Sequence, residues 1–258
     1  MSNAVTYTVV DDNIAVVTIN RPEARNAVNA EVAQGIEEAV DRTNADAKIR
    51  VCILTGAGDK SFCAGADLKT VRAGGLASIR RERSGFGGFV FAERRKVWIA
   101  AVNGFALGGG CEFALACDMV VADPSAQFGL PEVKRGLMAL AGGLVRLPRR
   151  IPRSIALEAI ATGEPFTAQR ALQLGLVNHV SEPGLVLERA VLLARAVASN
   201  SPIAVQESMK IARSTDEVPE EELIARGMAV RADLEKTEDY AEGLRAFAEK
   251  RAPNWRGR

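Results

Sequence analysis

Four nearly uninterrupted apolar runs, rich in β-branched residues, set the tightest limit on what this chain can fold into. Ile14 to Ile19 stops at Asn20-Arg21-Pro22, and Val51 to Thr55 stops at Gly56-Ala57-Gly58. Val97 to Val102 stops at Asn103-Gly104, and Met119 to Ala122 at Asp123-Pro124. Each run has strand length and each stop is a turn signal. A strand that does not alternate inside and outside residues must be covered on both faces, which points to a sheet held between helical layers. Between the first two runs, Val32, Ile36, Ala39 and Val40 recur at helical spacing behind Asn29, a side chain able to cap the helix. Strand, helix and strand in that order are an α/β signature. From Ala141 onward the pattern is almost wholly helical, with Leu187, Ala190, Val191, Ala194 and Val197 marking one face and Tyr240, Leu244 and Phe247 another.

Composition excludes several classes of function. At 258 residues, 48% hydrophobic and 25% charged, the chain is long enough to bury roughly three quarters of its unfolded surface in a packed core. Thirty-three Lys and Arg against thirty-two Asp and Glu leave a net charge of +1, which removes the broad attraction that nucleic-acid binders exploit. The single histidine, His179, rules out sites made of several imidazoles, and its apolar strand-like surroundings suit a structural role. Cys52, Cys63, Cys111 and Cys117 contain no C-x-x-C pair and are too few for a disulfide scaffold, so reduced, buried thiols without catalytic duty are expected. No signal peptide and no unbroken membrane-length apolar stretch is legible, and the expected location is the cytoplasm. Residues 73–88 are glycine-rich and carry Arg80, Arg81 and Arg83; they are expected to be mobile, either as a solvated excursion or as a substrate-facing lid.

Two glycine-containing turns follow predicted strands. One runs from Ser61 through Cys63-Ala64-Gly65-Ala66-Asp67 to Lys69, the other from Asn103-Gly104 through Gly108-Gly109-Gly110 to Glu112. Small residues at a strand exit let backbone approach a ligand, and a helix opening near Gly109 would aim unpaired amides and a positive dipole end outward. Close helix packing explains three glycines equally well. Neither turn has the spacing of a phosphate loop or a dinucleotide fingerprint. Glu112 opens the apolar stretch Phe113 to Cys117, where desolvation would push its carboxyl upward. Glu132 follows a predicted strand near Ala126 to Phe128 and would meet Glu112 if that strand lies beside the helix, making a proton-transfer pair; exposed or salt-bridged carboxylates are the alternative.

Taken together, these ordered blocks resemble the crotonase, or enoyl-CoA hydratase/isomerase, superfamily over essentially the whole chain. Asn20 to Ala27 resembles its early CoA-contacting turn, Phe62 to Lys69 its first oxyanion-hole segment, Ala101 to Glu112 its second, and Phe128 to Glu132 its second acid block. The resemblance implies an α/β crotonase-like core of repeated strand-strand-helix units over residues 1–195, then a helical trimerisation region over 196–258, in homotrimers or homohexamers. It also implies that the amides of Ala66 and Gly109 hold a thioester oxygen while Glu112 and Glu132 manage a water and a proton. Ala24, Arg25, Ala27, Ala64, Ala66, Asp67, Leu68, Lys69, Gly109 and Leu140 would line the acyl-CoA site. The implied activity is reversible hydration of a 2-enoyl-CoA, with no metal and no cofactor beyond the coenzyme A of the substrate. Carnitinyl-CoA dehydratase, which the C-terminal block Glu242 to Arg258 resembles, and enoyl-CoA isomerase are the enzymatic alternatives. A CoA- or RNA-binding scaffold is the non-enzymatic one. Leu140 departs from the family where a small residue is usual, and with Met138 it is expected to narrow or reshape the pocket. Val97-Trp98 replaces a Pro-containing strand entry, and Arg80, Arg81, Arg83, Arg94, Arg95 and Lys96 are offered either to CoA phosphates or to solvent.

Overall fold

A computed structural model describes residues 3–258 of the chain. It opens with a hairpin, β1 (Val5–Val10) and β2 (Ile14–Ile19), turned by Asp11 and Asp12, both left-handed at φ 51° and 62°. A short 3₁₀ turn (Pro22–Ala24) leads to α1 (Ala30–Ala45), and Asn29 caps that helix by accepting from the Val32 amide at 3.0 Å, as its position predicts. β3 (Val51–Gly56), β4 (Ser61–Cys63), α2 (Leu68–Arg72), α3 (Leu76–Ile79) and a small hairpin of β5 (Arg80–Arg81) and β6 (Gly85–Phe86) follow. Next come β7 (Val97–Val102), β8 (Phe105–Leu107), α4 (Gly109–Ala116), β9 (Met119–Ala122), β10 (Gln127–Gly129) and a 3₁₀ turn (Pro131–Arg135). The rest is α5 (Gly143–Arg150), α6 (Arg153–Thr162), β11 (Phe166–Thr167), α7 (Ala168–Gln173), β12 (His179–Val180), α8 (Val186–Ala198), α9 (Pro202–Ala212), α10 (Glu220–Leu234) and α11 (Glu238–Ala248).

The long strands, with the two-residue β12 at one edge, form a six-stranded sheet in the order β1-β2-β3-β7-β9-β12, parallel from β2 onward, and the other short ones form a second sheet, β11-β10-β8-β4. Each turn of the chain therefore gives a long strand to the first sheet and a short strand to the second before crossing back, as in β3-β4-α2 and β7-β8-α4. That is the strand-strand-helix repeat expected from the sequence. Covering on both faces is also as expected: Cys52, Leu54, Trp98, Ala100 and Val102 point into the larger core, while Val51, Ile53, Val97, Ile99 and Ala101 point into a second one. α8 roofs that second core with the face marked by Ala190 and Ala194. A division at residue 195 falls inside α8, which packs on the sheet along its whole length.

Three structural findings differ from the expectations. Only residues 73–78 of the arginine-rich segment form a solvated excursion. The remainder is pinned to α1: Arg81 donates to Glu37 at 2.8 Å, Ser84 donates to Glu37 at 2.5 Å, and Arg83 pairs with Asp41 at 2.7 Å. Gly88 lies so close to the Ala33 carbonyl that any side chain there would collide. Secondly, Trp98 is fully buried, edge-on to Phe89 at 5.0 Å, and Phe89 meets Phe113 at 5.7 Å; the absent proline is replaced by an aromatic cluster. Thirdly, Tyr240, Leu244 and Phe247 do share a face of α11, but that face is exposed. Among the described residues no helix is long and apolar enough to cross a membrane.

Candidate active site

The two glycine turns meet. Gly65, at φ 87°, follows β4, and a β-carbon on it would lie 3.1 Å from the Gly109 nitrogen and 3.1 Å from the Leu107 oxygen. Side chains at Gly109 and Gly110 would collide with the Phe86 ring and the Cys63 carbonyl, so close packing does require these glycines. Not every amide in these turns has an acceptor. Amides around the site are taken: Ala64 donates to Arg25, Asp67 to Val28, Gly108 to Gly129 and Glu112 to Gly108, all within 3.1 Å. Those of Ala66 and Gly109 donate to no acceptor among the described residues. Two unspent donors thus stand side by side, one at the N-terminus of α4.

The early block is stitched to the first turn. Val28 donates to the Gly65 carbonyl at 2.8 Å, and Arg21 bridges the Ala27 carbonyl at 2.7 Å and the Asp67 carboxylate at 3.0 Å. Asn26, fully buried, ties the same block to Ala57 and Ser61. Burial pushes the Asp67 carboxyl up, but Arg21 and the Lys69 and Thr70 amides more than offset this and hold it below its ordinary value. Its side chain is thus occupied in capping α2 and pairing Arg21.

Glu112 sits one turn into α4 and is 3% exposed. Its Oε1 accepts from the Gly143 amide at 2.8 Å. Burial is the largest influence and the negative charge of Glu132 adds to it, whereas the Gly143 and Ala141 amides and Arg146 oppose them; the carboxyl is pushed up to about 7. Glu132 stands on the 3₁₀ turn after β10, with Oε1 3.0 Å from where a Gly108 β-carbon would be. Burial raises its carboxyl too, and its Oε2 is buried with no partner among the described residues. Neither glutamate forms a salt bridge within the described chain, so the exposed or paired alternative does not hold. The structure brings together two carboxyl groups, electrostatically coupled, and two free amides at one end of one helix.

Other expected positions surround this centre unevenly. Ala24 is half-buried and Ala27 buried, while Arg25, Ala64, Leu68 and Lys69 are exposed beside the first turn. Leu140 is 58% exposed; in its segment Ala139 and Ala141 turn inward, and Leu137, Met138 and Leu140 turn outward. Arg94 is spent on the Phe89, Ala92 and Ala116 carbonyls, and Arg95 reaches Glu93. Cys63 and Cys111 are buried thiols; desolvation pushes Cys63 up to about 12 and Cys111 higher still, which leaves both unreactive. Half-buried His179 lies on β12, in the far edge strand of the large sheet. Two contributors have no counterpart in the expectations, Gly143 and Arg146. The Gly142-Gly143 pair opening a helix was their visible signal, the same one that marked Gly109.

The sequence profile of the enoyl-CoA hydratase/isomerase family matches residues 10–258. The chain belongs to that family. It is 40% identical over 254 residues to an (E)-benzylidenesuccinyl-CoA hydratase of Thauera aromatica, covering 96% of this chain and 97% of the relative. It is 39% identical over 247 residues to a carnitinyl-CoA dehydratase of Proteus mirabilis, covering 94% of each. The crystal structure of an enoyl-CoA hydratase from Mycobacterium marinum superposes with a TM-score of 0.95 at 44% identity over the full length of both chains. The crotonase fold, with its parallel sheets and helical tail, is therefore that of this family.

Proposed function

We propose that this enzyme reversibly adds water across the double bond of a 2-enoyl-CoA to give a 3-hydroxyacyl-CoA. The observation that carries this reading is the convergence of the Ala66 and Gly109 amides with Glu112 and Glu132 at the start of α4. The thioester oxygen accepts from both amides. As water attacks the β-carbon, the electron pair of the double bond moves toward the thioester, and negative charge builds on that oxygen. Preorganised donors stabilise such charge, and removing one typically costs about 2.7 to 4 kcal/mol. The positive end of α4 acts in the same direction.

Burial disfavours the ionised form of both carboxyl groups and the charge of Glu132 adds to this at Glu112, so the scheme assigns one group as protonated and the other as ionised. The ionised member takes a proton from water as the hydroxyl joins the β-carbon, and the protonated member gives its proton to the α-carbon. With both groups assigned to one face of the double bond the addition is syn, and the pair ends with one proton as it began. Dehydration runs the steps backward. No metal and no cofactor beyond the coenzyme A of the substrate enters this scheme. Arg25 and Lys69, exposed beside the first turn, are the side chains we assign to coenzyme A contact.

The test is a panel of CoA thioesters given to the purified protein, with products followed by mass. Hydration adds one water, whereas isomerisation leaves the mass unchanged. Glu112→Gln and Glu132→Gln should each lower kcat/KM by about 10²- to 10⁴-fold while the fold is retained by circular dichroism. Undiminished turnover in the double variant would overturn the assignment. Crotonobetainyl-CoA belongs in the panel because of the likeness to a carnitinyl-CoA dehydratase. We further assign the outward apolar faces of α10 and α11 to contacts between copies in a trimer or hexamer working in the cytoplasm.

A further inference from the structure

Arg146 is the positive charge that most favours ionised Glu112. It lies one turn into α5, whose first residue, Gly143, holds the Glu112 carboxylate. The guanidinium folds back across Gly142, where a β-carbon would stand 2.5 Å from Nη1. Nη2 donates to the Val90 carbonyl at 2.6 Å, Nη1 leans on the Ala141 carbonyl at 3.3 Å, and the group lies 5.5 Å from the Phe91 ring centre. It makes no ion pair among the described residues, although a half-buried cation without one is costly. Arg94 and Arg150, which also donate to carbonyls, close the C-terminus of α4. Arg146 instead joins the loop at Val90 to the turn at Ala141 that precedes Gly143.

We propose that Arg146 is the positioning residue for Glu112: it pins the 141–143 turn so that the Gly143 amide stays on Oε1, and it keeps a positive charge near the Glu112 carboxyl. This deepens, and rests on, the hydration reading. The ionisable groups that act on Glu112 are Glu132 from the 3₁₀ turn and Arg146 from α5, with Cys111 beside it on α4. Arg135 favours ionised Glu132 and stays in place, whereas removing Arg146 makes ionisation of Glu112 harder, so activity that needs one ionised and one protonated carboxyl moves to higher pH.

The experiment compares wild type, Arg146→Lys, Arg146→Gln and Arg146→Met as full-length proteins, with kcat and KM measured across pH on a 2-enoyl-CoA. Arg146→Met should lose about tenfold in kcat at pH 7 with little change in KM, recover most of it by about pH 9, and show both limbs of its profile displaced upward. Arg146→Lys should keep the limbs where they are and lose only part of kcat, because the charge remains while the bridge to two carbonyls is weakened. If Arg146→Met fails to fold, Arg146→Gln, which keeps a donor for Val90 without the charge, reads the displacement instead. A uniform loss with unmoved limbs, or limbs displaced equally by Lys and Met, would overturn the proposal. A wild type that hydrates no enoyl-CoA would remove the underlying reading instead, so the two failures are distinguishable.

Discussion

The sheet core and the C-terminal helices treat apolar residues in opposite ways. In the core, every side chain of β3, β7 and α4 is buried, down to Glu112. In α10 and α11, Ile224, Met228, Leu244 and Phe247 face outward, with Phe247 87% exposed, and Leu223, Asp239 and Ala246 are the buried residues. The tail is nevertheless firmly folded: Asp239 accepts from Ser201 and from the Arg256 and Gly257 amides, and Arg50 holds the Trp255 carbonyl at 3.0 Å. The core is thus finished within one chain, whereas the tail presents a surface of the kind that protein contacts cover.

The sharpest way to break this contrast is Gly110→Ala, which sets a methyl against the Cys63 main-chain carbonyl in a region with no slack. Overpacking at such a point is expected to cost about 3 kcal/mol, read from the urea midpoint. Next, Glu112→Gln should stabilise the core while lowering turnover by about 10²- to 10⁴-fold. The folded carboxyl, at about 7, lies above its unfolded value of about 4.3, so the folded state binds the extra proton and loses stability as pH rises between the two. The glutamine variant should therefore gain on the order of 2 to 3 kcal/mol over wild type at pH 8 and nothing near pH 4, measured by denaturation at both. The smallest effect belongs to the tail. Phe247→Ser should change protomer stability by less than about 0.5 kcal/mol, yet shift the sedimentation profile toward smaller species. A large loss of protomer stability there would show that the face is part of the fold.

The same contrast decides what the sequence could disclose. Strands such as Val97–Val102 were legible because burial on both faces leaves no polar residue to interrupt the run. The Asn29 cap and the α8 face were legible because local periodicity dictates them. Glu112 was conspicuous as a lone charge in an apolar helix, and Gly108-Gly109-Gly110 as a helix entrance. The short strands β4 and β8 left weaker marks, since three residues carry no period. Arg81, Arg83 and Arg94 read as candidates for phosphate but serve Glu37, Asp41 and α4, because side-chain direction depends on partners distant in the chain. For the same reason Tyr240, Leu244 and Phe247 marked a face without saying what it meets.

In α4 the acceptor end is already quenched: Arg94 answers the Ala116 carbonyl, and Arg150 answers those of Leu115 and Cys117. The opposite tip is left polarised at no expense to the rest of the fold. On the proposed reading, that tip meets the thioester oxygen whatever acyl group arrives. On that reading, swapping one tail for another asks for changes in the surrounding loops, while α4 and the two glycine turns at its start stay as they are. Descendants of such a scaffold can diversify in diet far more readily than in trade.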